Sequence, residues 1–261
     1  MNFETIIYTK NTSWAKVSLN RPEVYNALNK TLLEELLAAF REVENDENIR
    51  CVVLTGEGKA FSSGQDLKAV GGDIKNVPFD DIIRNQYNPL ITQMRTMKKV
   101  IICQLNGVAA GAGCSLALAS DIIVASHEAY LAEIFINIAL IMDAGSTYFL
   151  PRALGAYKAF EIATTGRKIY GEEAERLGLA NKSVPASDLE NAVMEFVHYY
   201  QNAPSKAVGL IKEMLNRSGG MVLAEVLEME ALYQKEAGSS SDFAEGVMAF
   251  LQKRKPDFKG K

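Results

Sequence analysis

VIICQLNGVAAGAGCSLALASDIIVASHEAYLAEIFINIALIMDAGST, residues 100–147, is the stretch whose division decides the fold. An apolar run of strand length over 100–103 leads into a segment dense in glycine and alanine (Gly107, Ala109, Ala110, Gly111, Ala112, Gly113). An unbranched helical pattern over 115–119 follows, then a second apolar run over 122–125. The reading is strand, tight turn, helix, strand. Glycines between a strand and a helix start either supply left-handed backbone angles or let main-chain N–H groups approach a guest. The helix start adds unpaired N–H groups and a positive dipole end. No Gly-Lys-Ser/Thr closes a phosphate loop, and the glycine order does not fit a dinucleotide fingerprint. An oxygen that turns negative during a reaction fits that turn, and so does simple packing.

Outward from this stretch, strands are expected over 5–8 and 14–19, with a polar turn between them. Asn29 is placed to cap a helix whose Leu32, Leu33, Leu36, Leu37, Phe40 and Val43 keep helical spacing. A buried strand covers 51–55. The segment GEGKAFSSGQDLKAVGGD, 56–73, is a loop long enough to carry function. A helix over 80–97 is interrupted near Pro89. Past residue 147, helices flank Pro151 and Gly155, a short helix covers 171–179, and a last strand covers 182–184. From 188 the chain is all helix, over 188–202, 205–216, 221–237 and 241–251. Mixed strand and helix give way to helix alone, which divides the chain into a core over 1–200 and a C-terminal helical region over 201–261.

The 261 residues are 48% hydrophobic and 23% charged, with a net charge of −4. That balance gives no support to nucleic-acid binding. No apolar run approaches the ~18 residues of a membrane span. Cys51, Cys103 and Cys114 have no paired or metal-like spacing and read as reduced core residues of a cytoplasmic protein. The N-terminal residues MNFETIIYTK show no signal peptide.

FSSGQDL (61–67) and NGVAAGAGCSLALASD (106–121), with LNRPEVYNALN (19–29) and the tail FLQKRKPDFKGK (250–261), resemble the crotonase superfamily, also called the enoyl-CoA hydratase/isomerase family. The resemblance covers essentially the whole chain. It implies an α/β fold, a crotonase-like spiral of ββα units with a C-terminal helical trimerisation region, in homotrimers often paired into hexamers. It implies an acyl-CoA thioester as substrate, coenzyme A entering as part of it, with no other cofactor and no metal. Two main-chain N–H groups, of Gln65 and Ala112 by motif position, would hold the thioester oxygen. Ala27, Ser63, Asp66, Leu67 and Lys68, with Phe250 and Lys253 from a neighbouring subunit, would contact CoA. Val24 stands where a basic residue is common, which weakens any phosphate contact there.

Enoyl-CoA hydratases of this family use two glutamates, and the matching positions here hold Ser115 and Phe135. Without that acid and base pair, ordinary hydration is disfavoured. One acid remains nearby. Asp143 follows an apolar run, 134–142, where burial raises a carboxyl's pKa and helix-terminal N–H groups lower it. The combination of SSGQDL, YNPL (87–90), AGAG, the lost second glutamate and DAGST followed by LPR resembles the phenylacetate-pathway ring-epoxide isomerases, which also shift enoyl-CoA double bonds. Asp143 is then a proton shuttle, with Tyr87, Asn88, Ser115 and Phe135 around the acyl group. Other readings of these residues stand beside this one. Asp143 caps the next helix; Glu133 is a rival base, two residues from Phe135 on one face of an extended strand; Ser115 and Cys114 are packing residues; Asp66 braces its loop. The rival functions are an unusual hydratase, a silent acyl-CoA-binding subunit and a thioesterase.

Overall fold

An apolar run without polar alternation needs cover on both faces of its sheet, and both central strands of this protein have it. The computed structural model describes residues 3–68 and 76–261; the expectations falling on 1–2 and 69–75 lie outside the described residues. The chain enters with β1 (Ile6–Lys10) and β2 (Trp14–Leu19), an antiparallel hairpin. There follow α1 (Lys30–Asn45), β3 (Cys51–Gly56), β4 (Ala60–Ser62), α2 (Phe79–Ile82), α3 (Asn88–Thr96), β5 (Val100–Leu105), β6 (Val108–Ala110), α4 (Ala112–Leu118), β7 (Ile122–Ser126) and β8 (Tyr130–Ala132). Then come α5 (Ser146–Leu154), α6 (Ala156–Thr165), β9 (Ile169–Tyr170), α7 (Gly171–Leu177), β10 (Lys182–Val184), α8 (Leu189–Tyr200), α9 (Ser205–Ser218), α10 (Leu223–Gly238) and α11 (Ser241–Leu251).

One sheet has the order β1, β2, β3, β5, β7, β10, parallel from β2 onward, and a smaller sheet has the order β4, β6, β8, β9. Each of β3, β5 and β7 is followed at once by a short strand of the second sheet. This repeat is the spiral of ββα units that the resemblance implies. Along β3, Val52 and Leu54 face the large core with α1, whereas Cys51 and Val53 face α8 through Leu189, Val193 and Val197. All three cysteines are free and buried.

Asn29 caps α1 as expected, its side-chain oxygen accepting from the Leu32 amide at 2.9 Å. Asn29→Ala should cost about 1 kcal/mol of stability, read as a shift in denaturant midpoint with unchanged slope. The C-terminal helices are tied to the core by Lys212. Its buried ammonium donates to the Met94 carbonyl at 2.9 Å, the Lys99 carbonyl at 3.0 Å and Asp121 at 2.7 Å, and Arg95 holds Asp121 from the other side at 3.0 Å.

Three local expectations are corrected. The turn after β5 contains a strand, β6, and α4 begins at Ala112, three residues ahead of the expected start. The helix break ahead of Pro89 is a π-helical turn over Ile83–Tyr87. The chain leaves extended geometry after Ala132 and coils into a 3-10 turn over Ile134–Ile138, so Glu133 and Phe135 are not on one face of a strand.

Candidate active site

The turn between β6 and α4 uses one glycine for its backbone angle and another for close packing. Gly111 has φ 53 and ψ −128, a conformation closed to other residues, and its amide is pinned to the Ala132 carbonyl at 2.9 Å. Gly113 serves packing, since a Cβ there would stand 2.4 Å from the Ser62 carbonyl oxygen. The Ala112 N–H opens α4 and has no intrahelical partner.

The other half of the site comes from the loop after β4. Leu28 pairs with Gln65 in a parallel bridge whose hydrogen bonds use the Gly64 carbonyl and the Asp66 amide. The Gln65 N–H therefore points to the opposite side. Neither the Gln65 nor the Ala112 amide donates to a backbone acceptor among the described residues. Gly64 sets the approach of the two segments. Its φ is +92, and a Cβ on it would lie 2.6 Å from the Ala110 oxygen and 3.3 Å from the Ala112 nitrogen.

Gly64, Gln65, Gly111 and Ala112 line a cavity of about 170 Å³, closed by Ile82, Ile83, Phe135, Ile138 and Leu140 and reached by Tyr87 and Asp143. Asp143 supplies the one carboxyl among the described lining residues. Burial pushes it up to about 6, and its Oδ1 is buried without a hydrogen-bond partner. It does not cap α5, which starts from Gly145 with no side-chain cap. Tyr87 donates to Gln65 Oε1 at 2.5 Å, and burial, then the charge of Asp143, holds its hydroxyl protonated.

The model of the family described as enoyl-CoA hydratase/isomerase matches residues 9–261. The chain belongs to the enoyl-CoA hydratase/isomerase family. A probable enoyl-CoA hydratase of Rhodobacter capsulatus is 38% identical over 261 residues, 100% of both chains. A 1,2-epoxyphenylacetyl-CoA isomerase of Escherichia coli K12 is 38% identical over 248 residues, 94% of each. The crystal structure of an enoyl-CoA hydratase subunit of Geobacillus kaustophilus superposes with a TM-score of 0.93 at 33% identity, covering 99% of each chain.

In this member of the enoyl-CoA hydratase/isomerase family the expected site residues fall into four groups. Ser63, Gln65, Leu67, Tyr87, Ala112, Phe135 and Asp143 line the cavity. Ala27, Asp66 and Lys68 are outside the lining: Arg21 donates to the Ala27 carbonyl at 2.5 Å and to Asp66 at 2.9 Å, which braces the loop, and the Lys68 amide donates to Asp66 at 3.2 Å. Asn88 is exposed on α3 and Ser115 is wholly buried, both outside the lining. Ser115 is turned inward because its side chain is held between the Gly111 carbonyl and Ser146. Phe250 borders a separate groove with Phe243, Val247 and Phe258, and Lys253 is exposed at the end of α11. Neither His127, bonded to Ser183, nor His198, beside Gln201, approaches Ser115 or Cys114, and burial raises the Cys114 thiol well above its ordinary range. Among the described residues no helix is long and apolar enough to cross a membrane.

Glu133 is wholly buried, and burial raises it to about 7 against the lowering effect of its Ser146 and Cys114 bonds. A carboxyl with a raised folded pKa loses stability as pH climbs from the unfolded value through the folded one. Glu133→Gln should therefore raise Tm by a few degrees at pH 8 and leave it unchanged at pH 4, checked by calorimetry at the two pH values.

Proposed function

We propose that the protein is an acyl-CoA isomerase, which moves a double bond or rearranges a ring epoxide through an enolate held by the Gln65 and Ala112 amides, with Asp143 as the proton shuttle. The observation that carries this reading is the single carboxyl in the described cavity wall, which it shares with Gln65 and Ala112, whose amides donate to no backbone acceptor among the described residues. Asp143 takes a proton from the carbon chain, the electron pair of that C–H bond passes into the thioester, and the oxygen charge meets the two N–H groups. In the double-bond shift the same carboxylic acid returns the proton at another carbon; in the epoxide the electron pair of the enolate opens the strained ring. One acid suffices because the proton is moved and not consumed. Each oxyanion donor is worth ~3 kcal/mol of barrier.

The volume also supports it, since ~150 Å³ of apolar cavity accepts a benzene ring and this one measures about 170 Å³. Names among the relatives divide between hydratase and epoxide isomerase at equal identity, so the choice rests on the cavity residues. Hydration would need a second carboxyl at the wall, and Glu133 lies behind it. Coenzyme A enters with the substrate, and no other cofactor takes part in these steps. Exposed Ile211, Leu215, Leu223, Leu227 and Phe250 on α9–α11 support assembly into a homotrimer or hexamer.

The test is a panel of 2-enoyl, 3-enoyl and ring-epoxide CoA esters with products separated by mass and retention. Interconversion of isomers without gain of water supports the reading. A 3-hydroxyacyl-CoA as main product overturns it.

A further inference from the structure

Behind the cavity wall formed by Gly111 and Ala112, polar side chains are packed where water does not reach. Glu133 is 1% exposed and Ser115 and Ser146 are each 0%. Ser146 Oγ stands 2.6 Å from Glu133 Oε1 and 2.8 Å from Ser115 Oγ, and the Ser115 hydroxyl reaches the Gly111 carbonyl at 3.4 Å. None of the three lines the cavity. A serine hydroxyl has one proton. Ser146 therefore donates to one neighbour and accepts from the other, and the chain of bonds has a direction.

Burial sets that direction. A carboxyl out of water with no cation beside it holds its proton to a higher pH, here to about 7; the titratable groups facing Glu133 are Cys114 on α4 and Asp143 on the far loop, neither of them cationic. The protonated carboxyl donates to Ser146, Ser146 to Ser115, and Ser115 to the Gly111 oxygen, which already accepts from the Ser115 amide at 3.1 Å. That oxygen belongs to the same peptide unit as the Ala112 N–H. Drawing electron density toward one end of a peptide makes the N–H at the other end a stronger donor, because hydrogen bonds in a chain polarise one another.

We propose that Glu133, Ser146 and Ser115 form a buried relay that polarises the Gly111–Ala112 peptide and so strengthens the Ala112 N–H toward a substrate carbonyl oxygen. The relay rests on the role given above to the Ala112 amide. Its members are positioning residues and touch no substrate atom. The geometry gives the sequence position of Ser115 a task, as the last donor in the relay, and it gives Glu133 a reason to sit beside a substrate cavity without entering it.

Cinnamoyl-CoA is the probe, since it has no hydrogen on the carbon beyond the double bond and cannot be isomerised along the chain. Its thioester carbonyl stretch is read by isotope-edited difference infrared on the full-length protein. Wild type should lower the stretch relative to the free thioester. Glu133→Met and Ser115→Ala should each return part of that shift, with the double variant no further along than either single one. In turnover of the substrate found in the panel, kcat should fall about 3- to 10-fold, the worth of one modest hydrogen bond, with KM little changed. Glu133→Gln, whose amide still donates to Ser146, should restore both readouts. A wild-type carbonyl that does not shift overturns the Ala112 donor and the relay with it. A wild-type shift that stays intact in both Glu133→Met and Ser115→Ala overturns the relay alone. Should Glu133→Met not fold, Ser115→Ala and Ser146→Ala decide by the same criterion.

Discussion

Asp143→Asn removes turnover of the CoA ester and leaves its binding in place. The amide has the volume and shape of the carboxyl, so the cavity keeps its form, but it cannot accept a proton from carbon. General acid–base catalysis is worth roughly 100- to 10,000-fold, and with one carboxyl in the described lining nothing else there takes the role over. The wild-type pH profile carries the same signature. Burial sets Asp143 at about 6, and it acts as a base only when ionised, so kcat rises with pH through that value, with a smaller decline above about 7 where Glu133 loses its proton. The variant's residual rate lacks that limb. Calorimetric titration of a CoA ester against the variant, beside a stopped assay of turnover, checks both halves. A variant that turns over at the wild-type rate takes Asp143 out of the chemistry, and one that no longer binds makes it a structural residue.

Gly64→Ala loses activity by a separate route, through the backbone. The new Cβ would sit 2.6 Å from the Ala110 oxygen and 3.3 Å from the Ala112 nitrogen, at a φ of +92. Main-chain atoms on both sides have to move apart, and those atoms carry the two amides. Loss of one well-placed oxyanion donor costs about 100- to 1,000-fold in kcat, and the strained backbone adds about 1–3 kcal/mol of lost stability. Gly178→Ala separates the two effects. It has a similar φ of +80 with nothing within 4 Å of the new methyl group, at the end of α7. It should lower Tm and leave kcat unchanged. Equal kcat losses in the two variants would show that Gly64 matters only for folding.

Much of this architecture was open to reading from the chain itself, for physical reasons that can be named. The runs that became β3 and β5 lack polar alternation because both faces are covered, and Asn29 carries its own capping chemistry. Gly111 and Asp143 stood out because each is unexpected where it lies, a glycine at a helix start and an acid at the end of an apolar run. The second sheet was not open to reading. Its strands β4, β6 and β8 have three residues each and β9 has two, too few for any period to show. An extended backbone would set Glu133 on the face of Phe135, but the 3-10 turn after Ala132 sends it inward instead. Its partner Ser146 lies 13 positions on and Ser115 lies 31 positions before Ser146. Only tertiary packing joins them.

The lysine locked under α9 also sets where this chain can be shortened. A truncated chain ending near residue 200 would discard the cation that neutralises Asp121 while keeping the Met94 and Lys99 carbonyls it serves. Arg95 and the Ile101 amide would then answer that acid without the lysine, and two acceptors beneath the lost helix would face solvent through a gap. Minimal versions for crystallisation or display should therefore run beyond Ser218.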